Sequence, residues 1–394
     1  MIMTDLILQG GRVIDPASGR DEIADVAFGE GKVTAVGGDL PAGNGAEIVD
    51  VRGLLVVPGL IDLHTHVYWG GTSLGVDAAD VARRGGTTTF VDAGSAGPGN
   101  FHGFRRHVIE PSPLRIIPYL NVSFPGIFAV SASVTVGECA DLRFLDPREC
   151  VRVINANREL IAGVKVRVGR NAGGASGVAP LDIALEVAEE TRLPVMAHLD
   201  NPPPSRLEVL SRLRRGDILT HCFRPFPNAP VEADGRVREE VLEARRRGVV
   251  FDIGHGSGSF GFRTAEAMLA AGFLPDVISS DVHALSINGP AFDQLVTMAK
   301  FVCLGMELVD VVRAGTAAPA AALGRTDIGR LAIGAVGDAT VLELAEGEFE
   351  YRDVLGETRK GRQQLKTRGL VVAGRWWHPP SGSLPAPPPR TGEG

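Results

Sequence analysis

Val56-Val57-Pro58-Gly59-Leu60-Ile61-Asp62-Leu63-His64-Thr65-His66 carries an apolar, strand-like run into two histidines separated by one residue. Residues two apart on an extended strand point the same way, so both imidazoles are aimed at one point from a strand end. Such a pair makes half of a metal site, and imidazole suits zinc and its first-row neighbours. Two solvated loop histidines would look the same in isolation, so the reading turns on the rest of the chain.

Beyond this stretch, strand-like runs alternate with helical segments, the pattern of a parallel sheet with covering helices. Eight runs can be counted, at 60–66, 88–93, 116–122, 163–168, 194–199, 217–222, 249–254 and 276–281. Eight such units predict an α/β fold closed as a (β/α)8 TIM-like barrel over residues 58–329. Segments 181–191 and 238–247 space apolar residues three and four apart, as helices covering a barrel do. The first 57 residues hold short β-like runs broken by glycine, among them Leu6-Ile7-Leu8, Lys32-Val33-Thr34-Ala35-Val36 and Leu54-Leu55-Val56-Val57. A matching set stands near the other end, at Ala339-Thr340-Val341-Leu342-Glu343-Leu344 and Gly369-Leu370-Val371-Val372-Ala373-Gly374-Arg375-Trp376-Trp377. Residues 1–57 and 330–378 are therefore expected to meet in one small β-sandwich domain. Residues 379–394 hold six prolines and little apolar content, and are expected to be disordered.

At 394 residues the chain exceeds what one hydrophobic core usually serves. Hydrophobic residues at 44% and charged residues at 22% describe a soluble globular protein with ample core. A formal charge of −7 gives no global attraction for nucleic acid or an anionic membrane, and Arg245-Arg246-Arg247 reads as a solvated helix end. Four cysteines without regular spacing argue against a disulfide framework and fit a reducing compartment. Strand alternation turns Cys222 away from the face used by its neighbour His221. Without a basic-then-apolar leader or an 18-residue apolar run, a cytoplasmic protein with no membrane anchor is expected. Its partner would be a small-molecule substrate, and a symmetric homo-oligomer is the default assembly.

TIM-barrel enzymes place their chemistry at the strand ends, and polar residues collect there. The runs contribute His64 and His66, Asp92, Asn121, His198, His221 and Asp281, with His255 and His283 just beyond two of them. One histidine so placed would usually be structural; four with an aspartate at equivalent positions are improbable by chance. Lys165 sits mid-run in Ala162-Gly163-Val164-Lys165-Val166-Arg167-Val168, where an unpaired ammonium is expensive to bury. It either snorkels outward between helices or shares with Arg167 a polar side of the strand turned to the barrel mouth. Inside a mouth, desolvation and nearby metal charge favour the neutral amine, which can add carbon dioxide to give a carboxylate-like carbamate.

In this order and at these strand ends the residues resemble the amidohydrolase superfamily of metal-dependent hydrolases over nearly the whole chain. The resemblance rests on Pro58 to His66, Lys165, His198, His221, Asp281 and the stretch Gly329-Arg330-Leu331-Ala332-Ile333-Gly334-Ala335-Val336-Gly337-Asp338-Ala339. It implies two divalent metal ions, zinc foremost. His64, His66 and Asp281 would hold one, His198 and His221 the other, and a carbamate on Lys165 would bridge them. Leu120-Asn121-Val122-Ser123-Phe124-Pro125-Gly126, Leu219-Thr220-His221-Cys222-Phe223-Arg224-Pro225 and Phe251-Asp252-Ile253-Gly254-His255-Gly256 are similar to a bacterial amidohydrolase/deacetylase branch associated with acetylated hydroxy acids. Dihydroorotases, the better-known cousins, carry an arginine two residues after the second histidine; here that place is Tyr68.

The chemistry expected is hydrolysis of an ester or amide of a small, carboxylate-bearing substrate by metal-activated hydroxide, with Asp281 as general base and then acid. Tyr68, Arg170, Asn171, His255 and His283 are the candidates for substrate contact, Arg170 by a bidentate pair or as a plain surface residue, His255 and His283 by orienting substrate or stabilising the oxyanion or instead as hydrogen-bond donors behind the groups in contact. A cyclic amidohydrolase or lactonase is the alternative within the class. The alternative outside it is a non-catalytic scaffold of the same fold, which has no need of six metal-seeking residues at one barrel mouth.

Overall fold

A computed structural model of the chain describes residues 4–41 and 45–377. The tail expected to be disordered, 379–394, lies outside the described residues. In chain order the strands are β1 (Leu6–Asp15), β2 (Arg20–Gly29), β3 (Lys32–Gly37), β4 (Glu47–Asp50), β5 (Leu55–Pro58), β6 (Leu60–Thr65), β7 (Thr87–Ala93), β8 (Arg115–Asn121), β9 (Gly163–Val168), β10 (Val195–Leu199), β11 (Ile218–Leu219), β12 (Val250–Phe251), β13 (Ala339–Arg352), β14 (Thr358–Val372) and β15 (Arg375–Trp376). Strands β6 to β12 pair in sequence order as one curled, all-parallel sheet. The others form a separate sheet in the order β15-β14-β13-β5-β1-β2-β3, with β4 on β1.

In the outer sheet, strands from both chain ends share one continuous hydrogen-bonded sheet, joined where β13 pairs with β5. The device is a bend in β1. Its first half pairs with β4, and Arg12–Val13 pairs with β5. Between them the register with β2 slips at Gly10–Gly11. Gly10 has φ of 76°, and a side chain at Gly11 would run into Val56. A bulge of this kind turns the strand without breaking the sheet.

In the parallel sheet, alternation sorts each strand into two faces. Val164, Val166 and Val168 of β9 join one apolar cluster with Leu181, Ala184 and Val187 of the helix Ala179–Thr191. Each buried aliphatic side chain contributes about 1.5–3 kcal/mol relative to exposure. Lys165 and Arg167 take the opposite, inner face. Seven strands stand where eight runs were expected. The run at 276–281 forms no strand, but residues 277 and 282 make parallel bridges to Asp252 and Thr65 at the two open edges. Backbone bonds from Asp281 N to His64 O (2.8 Å) and from His66 N to Val282 O (3.0 Å) accompany them. The ladder is short because Asp281 has φ of 49°. The runs at 217–222 and 249–254 are likewise cut to two-residue strands, since His221 (φ 61°) and Gly254 (φ 48°) turn the backbone out of the extended form.

Side chains reinforce this seam. Asp62 accepts from Ser280 N (2.9 Å) and Ser280 Oγ (2.5 Å). Deeper in, Gln294 Nε2 donates to Ile61 O (2.8 Å) and Ile278 O (3.1 Å), while its Oε1 accepts from Thr87 Oγ1 (3.2 Å). The outer sheet reaches the same region through the loop between β13 and β14, where Asp353 Oδ2 accepts from Phe262 N at 2.9 Å. Among the described residues no helix is long and apolar enough to cross a membrane.

Gln294 is fully buried, so Gln294→Leu preserves volume while leaving two carbonyls and a hydroxyl without partners. We expect a loss of about 3 kcal/mol in urea unfolding, whereas a seam held by packing alone would show almost none.

Candidate metal centre

His64 and His66 leave the end of β6 on the same side, and the turn at Asp281 brings its carboxylate to both: Oδ1 lies 3.4 Å from His64 Nε2 and 3.3 Å from His66 Nε2. All three are buried, and one donor atom from each falls within 4.8 Å of the others, a group that could hold a metal ion. Lys165 Nζ stands 3.3 Å from His64 Nε2. On the far side, His221 Nε2 meets His198 Nδ1 at 2.6 Å. The His64 and His221 ring centres are 5.1 Å apart, so the two pairs adjoin.

Outer partners decide which nitrogens carry protons. The Thr220 hydroxyl donates to Asp252 Oδ2 (2.7 Å), so it can only accept from His64 Nδ1 (2.7 Å), and His64 Nε2 is left bare. Asp252 is pushed up by burial only to about 6, so it is ionised at neutral pH and fit for this task. His221 Nδ1 donates to Gly254 O (2.7 Å), baring Nε2 toward His198. His198 Nε2 lies 3.5 Å from Asp200 Oδ2, which favours the proton there and a bare Nδ1. Ser95 Oγ meets His66 Nδ1 at 2.9 Å, with Ser95 N held by Asp92 Oδ1 at 2.8 Å. Second partners of this kind orient metal-bound imidazoles.

Burial keeps these imidazoles neutral: His64, His198 and His221 are held well below the usual histidine range and His66 near 3. Burial likewise lowers Lys165 to about 7 and raises Asp281 to about 6. Bare nitrogens converging on one another and on a carboxylate repel unless a cation joins them, and neutral imidazole with carboxylate is the donor set that zinc and its neighbours accept. The residues present therefore fit a divalent metal. Glycines make the room: a side chain at Gly254 would overlap Thr220, and one at Gly256 the Asp281 carboxylate.

A cavity of about 200 Å³ opens over the centre, with His64, His66, His198 and Asp281 on its floor. Arg167, Arg224, Asn171, Asp200 and His283 also line it, and Leu74, Val130 and Leu285 add apolar surface. Arg167 pairs with buried Glu138 at 3.1 Å. Arg224 donates only to the carbonyls of Pro227 and Leu199 and leaves Nη2 without a protein acceptor among the described residues. His283 Nδ1 accepts from Leu285 N (3.1 Å), so its Nε2 carries the proton.

Of the residues expected to touch substrate, Asn171 and His283 line the cavity and Tyr68, Arg170 and His255 do not. Tyr68 stacks on Phe104 with centres 4.6 Å apart, Arg170 is exposed on the surface, and His255 is buried against Lys300. Sequence reasoning passed over Arg224, Thr220, Asp252, Ser95 and Lys300 as functional groups. Arg224, three residues after His221, carried a weak signal; a threonine and a serine carry none, because their role is set by partners distant in the chain.

Thr220→Val keeps the shape and removes the hydroxyl that links His64 to Asp252. Chelator competition is expected to show metal held roughly 10- to 100-fold more weakly; unchanged affinity would mean that Thr220 does not orient His64.

The model of the Amidohydrolase family matches residues 55–210 and 255–377. A deacetylase of Agrobacterium fabrum is 36% identical over 344 residues, covering 87% of this chain and 84% of the relative. A crystal structure described as a dihydroorotase aligns with TM-score 0.86 at 33% identity, covering 94% of this chain and 98% of that one. One described as an adenine deaminase aligns with TM-score 0.87 at 28% identity, covering 95% and 99%.

Proposed function

This chain belongs to the amidohydrolase family and is a metal-dependent hydrolase, and from that premise we propose that it removes an acyl group, in the manner of a deacetylase or esterase, from a small carboxylate-bearing substrate. The observation that carries the proposal is the make-up of the cavity, which is lined by metal-seeking residues, two guanidiniums and apolar side chains together. His64, His66 and Asp281 are proposed to hold one divalent ion, and His198 and His221 a second, with Lys165 as its carbamate between them; zinc is the proposed ion. A bound divalent ion supplies Lewis acidity and makes hydroxide available near neutral pH.

The chain's own residues do the rest. Asp281, buried and raised to about 6, is proposed to take the proton of the attacking water and return it to the leaving alcohol or amine. The protonated Nε2 of His283 is placed to donate to a substrate oxygen. The free N–H groups of Arg224 suit a carboxylate, and Arg167 adds a second, partly neutralised, guanidinium. This assigns to Arg224 and Arg167 the work expected of Arg170. Leu74, Val130 and Leu285 exclude water from one side.

The bridges at both sheet edges support reading 276–282 as the eighth stave of a (β/α)8 barrel. Buried free thiols at Cys139, Cys150 and Cys222 support a reducing, cytoplasmic setting. The cyclic-amide alternative is less well supported, since Tyr68 replaces the expected arginine and packs away from the cavity.

Purified protein is expected to contain about two divalent ions per chain and to hydrolyse O-acetyl hydroxy acids or N-acetyl amino acids in preference to dihydroorotate, lactones and adenine. Asp281→Asn should lower kcat by about a thousandfold. Arg224→Met should raise KM for an acetylated carboxylic acid roughly 10- to 100-fold and leave a neutral acetyl ester unaffected. Preference for dihydroorotate or adenine would overturn the deacylase reading, and protein that neither binds metal nor turns over after metal addition would favour the scaffold.

A further inference from the structure

Lys300 lies on the helix Gln294–Cys303 with 1% of its surface exposed, outside the cavity and away from the proposed metal-holding residues. Its Nζ donates to His255 Nε2 at 2.6 Å and to Pro290 O at 2.8 Å. These acceptors belong to different loops. His255 sits in the segment after β12 whose Ser257, Gly258 and Ser259 line the cavity, and Pro290 sits in the segment that follows Asp281. We propose that Lys300 is a positioning residue, clamping together the two loops that flank Asp281 and so holding its carboxylate in place.

The need for a clamp follows from the glycines. Gly254 and Gly256 have φ of 48° and 53°, and a side chain at either would overlap Thr220 or the Asp281 carboxylate. Both positions are therefore closed to larger residues, and glycine leaves the backbone pliable. Gly254 N donates to Ser279 Oγ at 2.9 Å, and His255, the side chain between the two glycines, adds stiffness on the other side. Its Nδ1 donates to Gly256 O (2.9 Å), its ring stacks on Phe260 with centres 4.8 Å apart, and its remaining lone pair takes the Lys300 proton. Gly256 N in turn donates to Ser280 O (2.9 Å), one residue before Asp281.

Asp281 is itself left-handed, a conformation that a non-glycine residue keeps only where its surroundings over-determine it. Ser286 Oγ donates to Asp281 O (3.0 Å), and Phe292 N returns to Ser286 O (3.0 Å), folding the following segment back toward Lys300. Burial lowers Lys300 to about 7, while Asp353 and Asp293 favour its charged form. Asp353 also holds Phe262 N, so the outer sheet braces the same loop.

The test is hydrogen exchange on the full-length protein, read beside metal content, chelator-driven metal loss and kinetics on the best substrate. Lys300→Met fills the space without a donor, and His255→Phe removes the acceptor. Each is expected to speed exchange in residues 254–262 and 280–292 by about tenfold or more, with exchange in β7 to β9 unaltered. Each should lower kcat roughly 10- to 100-fold at a KM within about twofold of normal, and the double variant should be no worse than either single one. His255→Gln, which keeps an acceptor for Nζ, should restore both. Unaltered loop exchange, or faster exchange throughout the barrel with no selective effect, would overturn the proposal, and if Lys300→Met fails to fold the His255 pair decides it. Exchange is read whether or not a substrate is found, so failure of the hydrolase reading and failure of the clamp are distinguishable.

Discussion

The seam between β6 and residues 276–282 is the constraint on which the rest of the site depends. Without it His64 and His66 are two imidazoles at a strand end, and Asp281 belongs to a segment more than two hundred residues away. The backbone bond from Asp281 N to His64 O and the grip of Asp62 on Ser280 set the carboxylate against both rings. A regular strand could not do this. Alternation would send every second side chain the wrong way, and a ladder continued past residue 280 would leave Asp281 extended. The backbone gives up regular pairing here, and fixed side chains such as Asp62 and Gln294 replace the lost bonds.

Charge is handled by the same economy. Stripping water from a cluster of imidazoles, an amine and carboxylates favours neutral nitrogen bases and more tightly held carboxylate protons, and the shifts of His66, Lys165 and Asp281 are all led by burial. Desolvation alone would leave tautomers undetermined. The Thr220–Asp252 pair and the Gly254 carbonyl remove that freedom, so that bare nitrogens face inward. The same turn after β12 that supplies the Gly254 carbonyl is the turn that must be glycine-rich to clear the rings. Orientation of the imidazoles and pliability of the cavity wall are therefore two consequences of one backbone path.

Much of this architecture was legible in the chain because period and order survive folding. The two-residue spacing of His64 and His66 placed both rings on one side, alternation around Lys165 separated its face from Val164 and Val166, and the recurrence of runs led to a curled parallel sheet. What escaped is equally physical. Two candidate strands shrank to two residues and a third formed none, because local apolarity does not reveal where a positive φ will interrupt pairing. The bulge at Gly10–Gly11, which bends β1 between β4 and β5, was not foreseen either. Tyr68 and Arg170 follow the relevant strands but face Phe104 and solvent, since a loop's direction is set by partners remote in sequence. Arg167 was read as sharing with Lys165 a face that could turn to the barrel mouth, yet nothing local marked it as a group lining the cavity.

Resemblance over nine-tenths of the chain to structures described as a dihydroorotase and as an adenine deaminase, and over most of it to a deacetylase, cannot by itself choose a reaction. Fold and floor are built from strand ends, and strand ends are what such similarity measures best. The choice of substrate belongs to the walls, and these come from loops: Arg224 from the segment after β11, Leu285 from the one after Asp281, Val130 from the excursion after β8. Arg224 is the decisive member. Its Nη2 has no hydrogen-bond acceptor among the described residues, with Asp200 as a nearby countercharge, and under the proposed function an anionic ligand would fill that place. Under the proposed function an acylated carboxylic acid would supply that anion, and the apolar side chains lining the cavity would take a substituent that needs no hydrogen bond.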